Sequence, residues 1–414
     1  MSRKASLGQV DWSALLEPGE TVLFAECGAE PLSLAESFVA QRHALTDISV
    51  FLGMGFAGSF TPEHGDALRF RSYGALGTTR KLAAADKLDI VPVSMGSIPA
   101  LLRAGALRFD VVAIALPPAA RDGRHSLGLT ALYLQSAIRH ARLVIAEISD
   151  KIPSLPGISI GPEEIDLAVR TDRTPAKLPP IKTDGTAHAI ARNAAPFIED
   201  GAVLQIGVGS APEAIAALLT DRKDIGIHSG LLSAGLASLI EQGVATGARK
   251  NVRRGIATIG SVMGDAALYR WAKDNPCLEL AGVEETHLGA AHVENFVAVN
   301  GALSVDLQGQ VNGESAGDRR LGAIGGQPDF ARAAHHSPGG CSIILLDASP
   351  GDGSISAITA RTLPRVSTPR SDVDVVATQF GAAHLTGRTE EERRKLLISI
   401  ADPRHREALE RGLI

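Results

Sequence analysis

Short apolar runs alternate along most of the chain with stretches whose apolar positions recur at helical spacing. The runs predict strands at Thr21–Ala25, Ile48–Leu52, Asp89–Pro92, Val111–Leu116 and Leu143–Glu147 in the first half. In the second half they predict Val203–Ile206, Ile225–His228, Phe296–Val299, Leu303–Leu307, Ser342–Leu346 and Val373–Ala377. Several are unbroken and rich in β-branched residues, as strands covered on both faces are. Helices of about ten to fifteen residues fit between many of them, so parallel βαβ units are expected. The pattern lapses from Arg170 to Lys182, a polar, proline-rich stretch that reads as a connector. The expectation is an α/β fold of two similar, open, mainly parallel-sheet domains, residues 1–182 and 183–414.

A weak internal repeat supports the duplication. At an offset of 181 residues Val22-Leu23 falls on Val203-Leu204, Gly28 on Gly209, Pro31 on Pro212 and Ala35 on Ala216. Each copy reads strand, glycine turn, proline near a helix start, amphipathic helix. Proline suits that place because the first helical N–H groups have no intrahelical partner.

Composition narrows the function classes. Forty-one basic against 46 acidic residues leave a net charge of −5, which disfavours a nucleic-acid or anionic-lipid surface. No apolar run approaches the ~20 residues of a membrane span, and no apolar segment follows the charged N-terminus as in a secretory signal. Cys27, Cys277 and Cys341 lie far apart, which argues against a disulfide framework or a thiolate metal site. His335 and His336 are adjacent and lack metal-ligand spacing, so no metal is expected. A cytoplasmic enzyme is the expectation. Aromatics are scarce at 4% while glycine reaches 43 residues, a texture of tight strand-to-helix turns.

Two glycine clusters carry candidate chemistry. Gly207-Val208-Gly209-Ser210-Ala211-Pro212 opens a helix, where bare N–H groups favour an anionic oxygen. It lacks the third glycine of a dinucleotide fingerprint and the lysine of a P-loop, so a turn built only for packing stays open. The second cluster, Gly322-Ala323-Ile324-Gly325-Gly326-Gln327-Pro328-Asp329-Phe330, sets the Gln327 amide beside two glycines. Gln327 could address a carbonyl or carboxylate, or serve the turn alone. Asp329 reads as a helix cap.

These residues in their order resemble the acetyl-CoA hydrolase/transferase family, which includes acetate and 4-hydroxybutyrate CoA-transferases. The resemblance spans most of the chain. It rests on Asp89–Val93, Ile98–Leu101, Asp110–Val112, Ser126–Gly128 and Val144–Glu147, then on Asp200–Gly209, Ile225–Ser229, Asp306–Asn312, Gly325–Gln327 with Asp329-Phe330, Thr368–Arg370 and Gly381. It implies two similar α/β domains, a homodimer, and coenzyme A bound as substrate, with a small acyl-CoA and a carboxylate as partners. By resemblance Gly207, Val208, Gly209, Ser210 and Ala211 line CoA together with Gly322 and Gly326.

The catalytic position departs from the family. Its members use a glutamate nucleophile after a His-Thr or His-Ser pair, because a carboxylate can be acylated, take up CoA and be regenerated. Here the order is His228-Ser229-Gly230, with glycine at the nucleophile's place. Ser304 and Gln379 likewise stand where the family usually carries acids. A glutamyl-CoA route is therefore not expected, whereas Gly230→Glu is expected to create or strengthen CoA transfer. Neighbours on a strand face opposite ways, which disfavours a His228–Ser229 dyad. His228 alone could hold a water or donate to a carbonyl oxygen, or be a structural histidine. Glu241, Glu294, Asp306 and Glu314 are weak substitutes for the missing carboxylate. The alternatives to CoA transfer are acyl-CoA hydrolysis, other carbonyl chemistry in the same pocket, and a non-catalytic acyl-CoA-binding or partner subunit.

Overall fold

A computed structural model describes residues 3–413. The chain forms two compact units. The first runs through Pro179 and adds Ile259–Thr286 and Arg320–Ala323; the second comprises Pro180–Thr258, His287–Arg319 and the chain from Ile324 onward.

In the first unit an all-parallel sheet contains β1 (Arg3–Ala5), β2 (Thr21–Phe24), β3 (Ser49–Leu52), β4 (Arg69–Ser72), β5 (Leu88–Ile90), β6 (Val111–Leu116), β7 (Leu143–Ser149) and β8 (Leu167–Thr171). Its order is β1-β8-β7-β6-β2-β3-β4-β5. From β2 the chain therefore winds outward through β3, β4 and β5, then returns to build β6, β7 and β8 on the other side. The reversal opens a crevice at the carboxyl ends of β2 and β6, the place where open α/β sheets hold ligands. β2, β3 and β6 are buried along their whole length, which is why their sequences read as continuous apolar runs. Much of the scarce aromatic content gathers against this sheet. Trp12 and Phe38 meet edge-to-face at 5.0 Å, and Phe24 meets Phe38 at 5.1 Å and Phe60 at 4.9 Å.

The second unit repeats the plan with β9 (Val203–Ile206), β10 (Gly226–Ser229), β11 (Phe296–Gly301), β12 (Cys341–Leu345), β13 (Val375–Thr378) and β14 (Gly381–His384). These lie in the order β10-β9-β11-β12-β13-β14, parallel except for the last pair. The winding reverses between β9 and β11. β9 thus corresponds to β2, the pairing that the internal repeat had proposed, and the glycine turn after β9 stands at the second crevice.

The break at Pro179/Pro180 falls close to the expected boundary at 182, but the expected continuous domain 183–414 is interrupted. Ile259–Thr286 belongs to the first unit because its backbone and side chains bind there. Ala131 N–H donates to Gly260 O (2.9 Å), Ile158 N–H to Leu280 O (2.9 Å), and the Tyr269 hydroxyl to Ala176 O (2.8 Å). β4 and β8 were not predicted as strands.

Candidate active site

The turn after β9 is held by the strand beside it. Gly207 N–H donates to Val299 O at 2.8 Å, and a Cβ on Gly207 would lie 2.9 Å from Asn300 Oδ1. Glycine is required here because the backbone runs so close to Asn300. Gly209 has φ +144°, a conformation open to glycine, and it opens α2 (Ser210–Ala217) with no side chain capping the helix start. Val208 and Ser210 are exposed. The result is an accessible, uncapped helix start at a switch point, suited to an anionic oxygen. Glu213 faces away from it, accepting from Gly235 N–H at 2.8 Å and tying α2 to α3 (Ala234–Glu241).

One strand over, β10 ends in His228 and Ser229, both buried. The His228 ring meets Phe296 edge-on at 6.0 Å, and Ser229 Oγ accepts from Leu231 N–H at 3.3 Å, so the pair does not form a dyad. Gly230 follows. A Cβ there would lie 3.0 Å from Cε1 and 3.2 Å from Nε2 of His287, a residue that sequence reasoning had passed over. A Cβ on Gly326 would meet the same ring, 2.5 Å from Nε2 and 2.7 Å from Cδ2. The Phe330 ring lies 4.3 Å from the imidazole on another side. His287 is only 4% exposed and comes from a π-helical turn, Glu284–Leu288. Burial, with His228 nearby, pushes its pKa down to about 3, so the ring is neutral. The space that Gly230→Glu would need is thus already contested by His287.

Gln327 opens α4 (Gln327–His336) beside Gly326, and its Nε2 is buried with no hydrogen-bond partner among the described residues. An orphan buried donor is costly in a finished core and useful where a ligand oxygen arrives. Asp329 does not cap α4; it sits within the first turn, and Gly326 holds the cap position. Gly322 departs from the expected grouping: it lies in the first unit, where its carbonyl accepts from Ala75 N–H at 2.9 Å, whereas Gly326 lies in the second.

The weaker candidates have other employment. Asp306 accepts from Gln308 and Gln310 N–H, both at 3.0 Å, and Glu314 from Ser367 Oγ at 3.0 Å. Glu241 and Glu294 are exposed. Ser304 Oγ accepts from Asn312 Nδ2, and Gln379 Nε2 donates to Asp347. Among the described residues no group of three or more His, Cys, Asp or Glu could hold a metal ion.

The equivalent turn of the first unit is built differently. The repeat places Glu26 opposite Gly207 and Glu30 opposite Ala211. Glu26 is 1% exposed and accepts from the Tyr73 hydroxyl at 2.5 Å and Met54 N–H at 2.7 Å. Tyr133 lies against the same carboxylate without closing a hydrogen bond, and Oε1 has no hydrogen-bond partner among the described residues. Desolvation raises the Glu26 pKa, and it lifts Glu30 to about 7 although Phe56 and Ala57 N–H groups donate to it. Both carboxyls line a recess of about 420 Å³ together with Phe24, Leu52, Phe60 and Thr78.

Similarity to characterised proteins settles the family. The model of the acetyl-CoA hydrolase/transferase C-terminal domain matches residues 264–413. The 4-hydroxybutyrate coenzyme A transferase of Clostridium kluyveri is 34% identical over 404 residues, 95% of this chain and 94% of that protein. The chain belongs to the acetyl-CoA hydrolase/transferase family. Another relative, the succinyl-CoA:cyclohexane-1-carboxylate CoA transferase of Geobacter metallireducens, is 29% identical across 97% of this chain and 93% of its own length. Among solved structures, RipA from Yersinia pestis superposes with a TM-score of 0.91 at 28% identity, covering 99% of this chain and 96% of that one. The 4-hydroxybutyrate CoA-transferase from Porphyromonas gingivalis gives 0.82 at 26% identity with the same coverage. The chain is therefore an enzyme of the CoA-transferase/hydrolase kind, with CoA thioesters as its substrates, and it shares the family's α/β architecture. Among the described residues no helix is long and apolar enough to cross a membrane.

Proposed function

We propose that this chain moves CoA from a small acyl-CoA to a carboxylate acceptor, working as a cytoplasmic homodimer and without a covalent glutamyl intermediate. The single observation that carries the reading is glycine at 230, on a family-like strand end, with the orphan Gln327 amide and the uncapped Gly207–Ala211 turn in the same unit. The turn is assigned to a CoA oxyanion and Gln327 to an acyl or acceptor oxygen.

With no carboxylate at 230, the acceptor itself attacks. Its oxygen bonds to the thioester carbonyl carbon, the C–S bond breaks with the electron pair on sulfur, and a mixed anhydride forms. The thiolate then attacks the acceptor's carbonyl carbon and expels the first carboxylate. Charge balances throughout and no proton is exchanged. Holding both partners in register supplies the gain that covalent capture would otherwise give. Gly230 also favours a second reading, hydrolysis, in which water takes the acceptor's place.

The test incubates the enzyme with acetyl-, butyryl- and succinyl-CoA, with and without carboxylates, and follows CoA species by chromatography with mass detection. A new acyl-CoA that needs the acceptor, with intersecting rather than parallel double-reciprocal lines, is expected. Free CoA regardless of acceptor would assign a hydrolase. Parallel lines with a trappable enzyme thioester would refute the direct route.

A further inference from the structure

The side-chain directions of Gly230 and Gly326 converge on one atom, Nε2 of His287. From Gly230 the 3.2 Å to that atom is about the reach of two C–C bonds of ~1.52 Å, the length by which a glutamate carries its carboxyl group beyond Cβ. Nε2 therefore stands where a carboxylate rooted at 230 would deliver its oxygens. Both glycines are needed for this, since any side chain at 326 would strike the ring.

We propose that His287 is a catalytic residue of this chain, its Nε2–H donating to the thioester carbonyl oxygen from the ground that a side chain at 230 would occupy. The inference rests on the acyl-CoA reading above and specifies how the site acts. It inverts the electronic sense of the position, from a group that attacks the carbonyl to one that polarises it. Phe330 flanks the ring, and the π-helical turn sets its direction, so the donor is held in place before substrate arrives. A neutral imidazole suits the role, because it offers a donor without placing a full charge in a desolvated site. The proton stays on Nε2 throughout: the acceptor oxygen forms the new bond, the thiolate leaves, and the developing carbonyl charge is met by the N–H.

The test compares the wild-type enzyme with His287→Gln and His287→Ala in steady-state kinetics. It adds the infrared carbonyl stretch of bound acetyl-CoA labelled with carbon-13, and intact-protein mass after mixing with acyl-CoA. His287→Ala is expected to lower kcat by about 10²–10³-fold with a much smaller change in KM. His287→Gln, whose amide can place an N–H near the same point, is expected to recover part of that loss. The stretch should shift to lower frequency in the wild type and His287→Gln, and lose the shift in His287→Ala. No acyl adduct should form. Unchanged kcat in His287→Ala, the same stretch in wild type and His287→Ala, or an acyl adduct on His287 would overturn the proposal. Should His287→Ala not fold, a His287→Gln variant matching the wild type in kcat but lacking the shift would overturn it equally. The stretch reads the contact even without turnover, and failure of acetyl-CoA to bind would refute the acyl-CoA reading itself.

Discussion

Gln205 and Asn300 exchange amide hydrogen bonds, Asn300 Nδ2 to Gln205 Oε1 at 2.8 Å and Gln205 Nε2 to Asn300 Oδ1 at 3.1 Å. The pair is buried and joins β9 to β11 where the winding of the second sheet reverses. It locks the two strand ends between which the glycine turn emerges. A reciprocal pair of this kind specifies its partner, since removing either amide strands the other in a dry environment.

Gly207→Ala tests that lock. The new methyl would sit 2.9 Å from Asn300 Oδ1, so the pair must part or the turn must move. A loss of about 1–3 kcal/mol is expected from the disturbed buried pair, with weakened acetyl-CoA binding. Urea unfolding and a titration check both. Gly185→Ala, whose methyl meets nothing within 4 Å, is the control and should leave affinity unchanged.

Gly230→Glu should disappoint by itself. Its first carbon must displace the His287 ring, an overpacking that costs about 1–3 kcal/mol. Paired with His287→Ala, which empties that space, the glutamate should acquire a hydroxylamine-trappable thioester on incubation with acyl-CoA. If the single variant forms the adduct as readily as the double, His287 is not the obstacle.

Glu30 gives a pH signature. Its pKa rises from 4.5 to about 7 on folding, so between those values the folded chain holds the proton more tightly than the unfolded one. Stability contributed by this group is present below pH 4.5 and is lost as pH rises toward 7, at up to ~1.4 kcal/mol per unit and less because the side chain is only partly shielded. Glu30→Gln should therefore gain on the wild type progressively from pH 4.5 to 7 and then hold level. Urea unfolding at pH 4.5, 6 and 7.5 would show it; a constant difference would contradict the assignment.

Ligand linkage provides a test that does not depend on turnover. Acetyl-CoA at a hundred times its dissociation constant should stabilise the folded chain by about 2.7 kcal/mol. A melting temperature indifferent to millimolar CoA and acetyl-CoA would remove the thioester site.

Most of the fold was legible because strands covered on both faces announce themselves as apolar runs. β6 was predicted at its observed limits, and β9 likewise. β4 escaped because its arginines alternate with buried residues, so no run forms, and β8 because its last residues merge with the polar connector. The return of Ile259–Thr286 to the first unit depends on long-range backbone bonds that leave no local trace. At the site, Gly207, Gly209, Gly230 and Gln327 could be named from turn chemistry and resemblance. His287 could not: its place beside Gly230 comes from β10 and a distant π-helical turn meeting in space, and an unremarkable Thr-His-Leu gives no sign of it. Glu26 and Glu30 were hidden for a different reason, since only burial tells a solvated acid from a raised one.

The two switch-point turns, alike in backbone course, carry opposite electrical labels. One presents bare N–H groups and no acid facing them; the other presents two carboxyls whose burial already resists negative charge. A polyanion such as a nucleotide thioester is thus sorted by sign alone. The duplication supplied two equivalent berths, and a pair of glutamates made one of them forbidden, so that the ligand meets a chain with a single address.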